Sequence, residues 1–409
     1  MKLIIKLAWR NLWRNSRRTI ITILAVTFAT LFSIAMRGIQ LGTYEETINF
    51  AVGLFSGYIQ IQHPDYQESP SLHKSFVLDK KLRTTITSMP EVRGYAPRVY
   101  ADGLASYKNT SLGAVIFGVD PEKERAVTTF PKKIDQGRFI RGANSDEIVV
   151  GYKMLRNLRA KVGDQIILLS QGYDGALGNA RFRIVGTVKM GSPDFDGMGV
   201  FMGLSRLQEL LGMGQRINVV ALSLSSVYDV DEVAEKLNQE LQASTLSALR
   251  WDQVMPELKQ GIELDNISGM IYLFILILVV AFGILNTVLM SVTERFKEFG
   301  ILLSVGMPQG MLVAVVFIET VFIALIGIVI GNILAVGVNY YFYVNPIEFT
   351  GEYKAMMEQY GFLPVLRSSL KLSSFFNTTL SIFAISLVST IYPLVRTYKL
   401  EPLKGIRYT

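Results

Sequence analysis

Glu294, Arg295, Lys297 and Glu298 crowd into five residues between two long apolar runs, with Phe296, Phe299 and Leu303 interleaved among and beyond them. On a helix this pattern gives a wettable face and an apolar face, the form of a short segment that lies along a membrane surface. Bond-making chemistry has no comparable support. The chain has no cysteine, and its two histidines, His63 and His73, share one loop-like stretch. Thiol chemistry, a histidine metal site and a Ser-His-acid arrangement are therefore all unsupported. The motifs G-x-S-x-G, H-E-x-x-H and G-x-x-x-x-G-K are absent, so no nucleotide-binding loop is expected in this chain. Asp194-Phe195-Asp196-Gly197 resembles part of a calcium loop, but the first and twelfth positions would be Ser192 and Gly203 where Asp and Glu are needed. It reads as a turn, and no metal is expected. Glu319 is the one acid inside the run 312–343. A carboxylate in that setting is either functional or paired, and Arg295 or a helix end is the partner expected near the inner interface.

The elements that carry these residues are membrane spans. Half of the 409 residues are hydrophobic and 18% are charged, with 23 Phe and 15 Met, a composition that points to segments solvated by lipid. Thr19–Met36, Gly269–Met290, Leu312–Tyr343 and Phe375–Val395 are each long enough for a hydrocarbon core of about 30 Å. The third, at ~1.5 Å per residue, would reach about 48 Å and must tilt or protrude. No small-residue cleavage site follows the first run, so it reads as a retained span.

Charge fixes the expected orientation. Lys2, Lys6, Arg10, Arg14, Arg17 and Arg18 precede the first span with no acid among them, and Arg396, Lys399, Lys404 and Arg407 follow the last. Both termini are therefore expected in the cytoplasm. This basicity flanks apolar runs and forms no groove for a polyanion, which argues against nucleic acid. The expected order is a basic amphipathic helix (1–18), span one (19–40), an extracytoplasmic domain (41–266) and span two (267–290). A short cytoplasmic loop (291–311), span three (312–343), an outer loop (344–374), span four (375–395) and a cytoplasmic tail (396–409) complete it. The fold class is thus a four-helix membrane protein, one plus three, with a large α+β domain inserted between helices one and two.

Within that domain, residues 57–62, 148–151, 165–170, 181–188 and 219–224 read as strands. Tyr152–Ala160 and Asp231–Gln242 read as helices, and Gln171–Ala180 as a glycine-rich loop. Small residues recur every four positions in the spans: Ala25, Ala29 and Ser33; Gly283, Thr287 and Ser291; Gly327, Gly331 and Ala335. Such faces allow close helix packing in lipid. Gly283, Gly327 and Gly331 are the expected packing positions. Four helices enclose a pathway poorly, so a dimer is expected.

Thr293–Gln309, TERFKEFGILLSVGMPQ, resembles the coupling segment of the ABC permeases of the macrolide-exporter, lipoprotein-release and FtsX superfamily (MacB/LolCE-like, type VII). The matching residues are Glu294, Arg295, Glu298, Phe299, Gly300, Ile301, Leu302 and Gly306. LAWRNLWRNSRR (7–18) is similar to the family's N-terminal helix, and GYIQIQHPDY (57–66) to the strand after its first stalk. The resemblance extends over nearly the whole chain. It implies a non-catalytic permease, paired with itself or a paralogue, above a dimer of cytoplasmic ABC ATPases that bind ATP and magnesium. It also implies a bacterial inner-membrane location, mechanotransmission through stalks at Ile39–Ala51 and Trp251–Ile267, and an outer domain with a ferredoxin-like part and an inserted β-rich part near 126–214. RGIQLGTYEE (37–46) and SGYIQIQHPDY (56–66) look most like the lipoprotein-release branch. That branch implies acylated lipoprotein cargo, a periplasmic carrier, and an apolar pocket that Met36, Ile39, Ile267, Met270, Ile271 and Phe274 could line. The alternatives are a permease of a tripartite drug or peptide efflux system and an FtsX-like activator of a cell-wall hydrolase.

Overall fold

The computed structural model describes residues 2–359 and 364–399. The tail expected at 396–409 lies outside the described residues from position 400 onward, as do positions 360–363 of the outer loop. The chain forms two compact units, one of Met1–Tyr44, Ile262–Glu348 and Val365–Thr409, the other of Glu45–Gly261 and Phe349–Pro364.

Four helices among the described residues are long and apolar enough to cross a membrane, and their apolar stretches lie in the first unit. The first span helix runs Ser16–Ala51, the second Pro256–Glu294, the third Gln309–Val344 and the fourth Leu372–Ser389, continued by Ile391–Tyr398. The first two outlast any bilayer: 39 residues at ~1.5 Å each make the second about 58 Å long. Their extra turns are polar, as in PELKQGIELDN, so they are continuous helix beyond the apolar stretch. An amphipathic helix, Lys2–Arg14, precedes the first span, and a short helix, Phe296–Ser304, connects the second to the third. Val26, Ala29, Val280, Ile284, Phe299, Val316, Ile328 and Ile382 form one apolar core that draws on all four spans and the connecting helix.

The second unit is built on a ten-stranded mixed sheet. Its strands are β1 Ile59–Gln62, β2 Val92–Tyr107, β3 Thr110–Val119, β4 Ile134–Gly137, β5 Glu147–Gly151, β6 Gln165–Gln171, β7 Leu177–Val188, β8 Gly199–Gly203, β9 Val219–Leu224 and β10 Ser247–Arg250. The main path is β10-β1-β9-β2-β3-β8-β5-β7-β4, with β6 bonded to β2 and β7. Residues 126–214 thus share the sheet of the flanking strands, joined through the parallel pairing of β3 with β8. Both faces are covered, which explains the uninterrupted apolar runs of β5 and β8. Ile148, Val150, Val200 and Met202 enter one core, while Val149 and Phe201 enter an aromatic core with Phe55, Phe117 and Phe130.

Two local expectations change. Residues 194–197 form part of a helix, Pro193–Met198, instead of a turn. Asp196 is buried and accepts the Met190 and Gly191 backbone N–H groups at 2.8 and 3.1 Å, which ties the helix to the chain before it. Burial pushes its carboxyl above the usual carboxylate range, and those two hydrogen bonds oppose the shift. The glycine-rich loop is shorter than expected, because β7 resumes at Leu177.

Candidate functional site

The connecting helix owes its direction to its two ends. The second span stops at Glu294, and Arg295 sits outside helical geometry (φ −101°, ψ 9°) before the new helix starts at Phe296. At the far end Gly306 takes φ +99°, a conformation that favours glycine. The Gly306 N–H bonds to the Leu303 carbonyl and the Met307 N–H to the Leu302 carbonyl, each at 3.0 Å. This paired C-terminal closure ends the helix, and Pro308 then caps the third span.

Of the residues expected to meet an ATPase, three are held by ion pairs within the chain. Arg14 Nη2 donates to both oxygens of Glu298, at 2.8 and 2.7 Å, and Arg18 Nη1 to Glu294 at 2.8 Å. Arg295 Nη1 donates to both oxygens of Glu319, at 2.9 and 3.1 Å. The pairs differ in weight. Arg14 and Glu298 are 53% and 47% exposed, and pairs of that kind contribute about 0–1 kcal/mol. Arg295 and Glu319 are each 12% exposed, so losing either partner strands a buried charge at a cost of about 3–5 kcal/mol. Arg295 also lies over the Phe299 ring, 5.2 Å from its centroid. The connecting helix is thereby fixed to the third span and, more loosely, to the N-terminal helix. That helix is itself packed against the third span through Trp9 on Phe322 and Leu12 beside Ile323.

Phe299 and Gly300 are buried, and Phe296 and Leu303 pack against the same core. The opposite face is not purely polar. Lys297, Ile301 and Val305 recur every four residues along it, Leu302 lies beside them, and all four are exposed, Val305 at 83%. An exposed apolar ridge with a charged rim fits a protein-docking surface.

The small-residue faces divide. A Cβ added at Gly327 would stand 2.7 Å from Val26 Cβ, and one at Gly331 2.6 Å from Thr30 Cβ, so the third span touches the first through these two glycines. Gly283 faces open space within the chain. Its neighbour Thr287 instead accepts a hydrogen bond from Thr22 at 3.1 Å.

At the other end of the first two spans is a polar clasp that sequence reasoning missed. Arg37 Nη1 donates to Asn266 Oδ1 at 2.6 Å, and the Tyr44 hydroxyl donates to Asp265 Oδ2 at 2.6 Å. Gln40 Nε2 donates to the Asp265 backbone carbonyl at 3.0 Å, and its side chain covers Gly269. Arg37, Gln40 and Tyr44 recur at helical spacing, which is the signal that would have found them. Of the six candidate cargo residues, Met36, Ile267, Met270, Ile271 and Phe274 are exposed, and Ile39 is half-buried. Ile267, Met270, Ile271 and Phe274 share one face of the second span, roughly opposite the buried Gly269 and Val280.

Two family models match the chain: the MacB-like periplasmic core domain over residues 19–240, and the FtsX-like permease C-terminal over residues 270–402. Over 99% of its length the chain is 22% identical to an uncharacterized ABC transporter permease of Methanocaldococcus jannaschii, covering 97% of that protein. It is 22% identical to the lipoprotein-releasing system transmembrane protein LolC of Neisseria meningitidis, over 94% of this chain and 92% of that one. It is 24% identical to the macrolide export ATP-binding/permease protein MacB of Nitrosomonas europaea, over 85% of this chain and 53% of that one. Since one model alone spans more than half of the sequence, and the inserted domain and four spans follow the same plan, this multi-pass membrane protein belongs to the ABC-transporter permease superfamily of the MacB/LolCE type, whose members work with cytoplasmic ABC ATPases.

Proposed function

We propose that the chain is the non-catalytic permease subunit of an ABC transporter that releases lipoproteins from the inner membrane, using ATP hydrolysis by a separate cytoplasmic ATPase. It works as a pair with a second permease, its termini in the cytoplasm and its inserted domain outside. The ATPase seats on the ridge Lys297, Ile301 and Val305. Movement of the connecting helix then reaches the third span through Arg295–Glu319, and the first span through Gly327 and Gly331. The Asp265 clasp makes the first and second spans move together.

The observation that carries the cargo assignment is the row Ile267, Ile271 and Phe274, each more than half exposed beside that clasp. An apolar row of this kind matches acyl chains, which cost about 0.8 kcal/mol per CH₂ when left exposed to water. Similarity to lipoprotein-release permeases supports the same reading. Photo-crosslinkers at Ile39 and Ile267 should capture a lipoprotein, and the capture should vanish when acylation is blocked. Capture that is indifferent to acylation would reject this cargo. Efflux with a fusion protein is the second reading, favoured by similarity to a macrolide exporter and by a ligand-sized cavity inside the inserted domain.

A further inference from the structure

The N-terminal helix, Lys2–Arg14, spends only part of its surface on the rest of the chain. Ala8 and Leu12, one turn apart, are buried on the side that meets the third span. Lys6, Trp9, Arg10 and Trp13 lie on the other side and are exposed. The Thr19 hydroxyl donates to the Leu12 carbonyl at 2.6 Å, which folds the end of this helix onto the start of the first span. Its level along the spans follows from one contact. Trp9 meets the Phe322 ring edge-on at 5.5 Å, and Phe322 stands three residues, about 4.5 Å, beyond Glu319, the acid that pairs with Arg295. Past that level the exposed residues of the first and third spans are apolar, among them Ile20, Ile21 and Leu24 on one and Leu325 and Val329 on the other. The helix therefore lies where the charged layer ends and the apolar stretch begins.

Its cations are divided in their use. Arg14 and Arg18 turn to Glu298 and Glu294. Lys6, Arg10 and Arg17 are exposed and have no ion-pair partner among the described residues, and the chain has no acid before Glu45 to neutralise them. Beside them stand Trp9 and Trp13, each 47% exposed, their ring centroids 6.0 Å apart, and the exposed Ile5. Both the level and the pairing of indoles with free cations fit one occupant, a layer of phosphate groups above acyl chains.

We infer that this face is a docking surface for anionic phospholipid. Lys6, Arg10 and Arg17 hold the phosphates, and the indoles of Trp9 and Trp13 sit where the acyl chains begin. The surface requires neither a particular cargo nor a bound ATPase, so it and the proposed function can each fail with the other intact.

The chain has three tryptophans, so Trp251→Phe leaves only those of the N-terminal helix to fluoresce. In nanodiscs, the full-length Trp251→Phe chain should be quenched by dibrominated phosphatidylcholine, because the indoles lie at the bilayer. Dibrominated phosphatidylglycerol at the same mole fraction should quench more strongly. The relative binding constant should favour the anionic lipid roughly fivefold, the factor that one cation near a phosphate surface contributes. Adding Lys6→Gln, Arg10→Gln and Arg17→Gln together should remove that preference. Quenching by phosphatidylcholine should persist in this variant, since Ala8, Trp9 and Leu12 still hold the helix to the third span. No quenching by either lipid, equal quenching by both in the Trp251→Phe chain, or an anionic preference that survives the triple substitution would overturn the surface. An acidic partner protein as the occupant would give the second of these results.

Discussion

Replacing Glu319 with glutamine keeps the side chain's size and removes the charge that faces Arg295. Both groups are nine-tenths buried, and loss of one partner from such a pair costs about 3–5 kcal/mol. Arg295 keeps a second carboxylate, with its Nε 3.6 Å from Glu298, but that group is half exposed and shared with Arg14. The expected loss is therefore near the lower end, about 3 kcal/mol. If the pair is what holds the connecting helix to the third span, the loss appears as local opening. At about 1.4 kcal/mol per tenfold, the open population rises roughly 100-fold. Hydrogen exchange read by mass spectrometry should show residues 296–304 exchanging about 100-fold faster, with the sheet of the inserted domain unaffected. Arg295→Met combined with Glu319→Leu removes both charges and should restore most of the protection. Exchange within threefold of the parent in Glu319→Gln would refute the anchoring role.

The exposed pair behaves differently. Glu298→Lys should reduce stimulation of the ATPase by repelling Arg14, and adding Arg14→Glu should restore it; failure of the swap would mean that Glu298 acts on the partner directly. Gly331→Val should separate the first and third spans and lower the thermal stability of the purified chain, because even a Cβ there would meet Thr30 at 2.6 Å, whereas Gly283→Ala should leave the monomer's stability unchanged. Glu147 is held below its ordinary value of 4.5, chiefly by a hydrogen bond from Arg138 and against the pull of burial. A carboxyl whose folded pKa is depressed stabilises above its unfolded value and loses that contribution as pH falls through the folded one. Arg138→Met should thus destabilise the domain near neutrality and differ progressively less from the parent in unfolding experiments below pH 4.5.

Spans were legible because runs of about 20 apolar residues have few other meanings, and Glu319 with Arg295 because an acid there needs a partner. Helices at 152–158 and 230–241 followed from helical periodicity. The hairpin of β2 and β3, the longest in the sheet, was not found. Gly94, Pro97 and Gly103 interrupt its alternation, and its turn is Lys108-Asn109, with Lys108 at φ 51° instead of a glycine. The basic residues before the first span read as a topology signal, which hid Arg14 and Arg18 as partners for two acids about 280 positions away. Long-range pairing leaves no local period. The same limit concealed the cavity that Gln60 and Gln62 of β1 help to line in the inserted domain, since IQIQ reads as an ordinary half-buried strand until both of its faces prove to be covered.

Capture of the ATPase tests the central claim most directly. A photo-crosslinking residue at Val305, 83% exposed at the C-terminal end of the connecting helix, should join the chain to an ABC ATPase in intact cells. The same residue at Ser88, in the inserted domain, should not. Joining at Ser88 with none at Val305 would contradict both the orientation and the coupling role of residues 294–306.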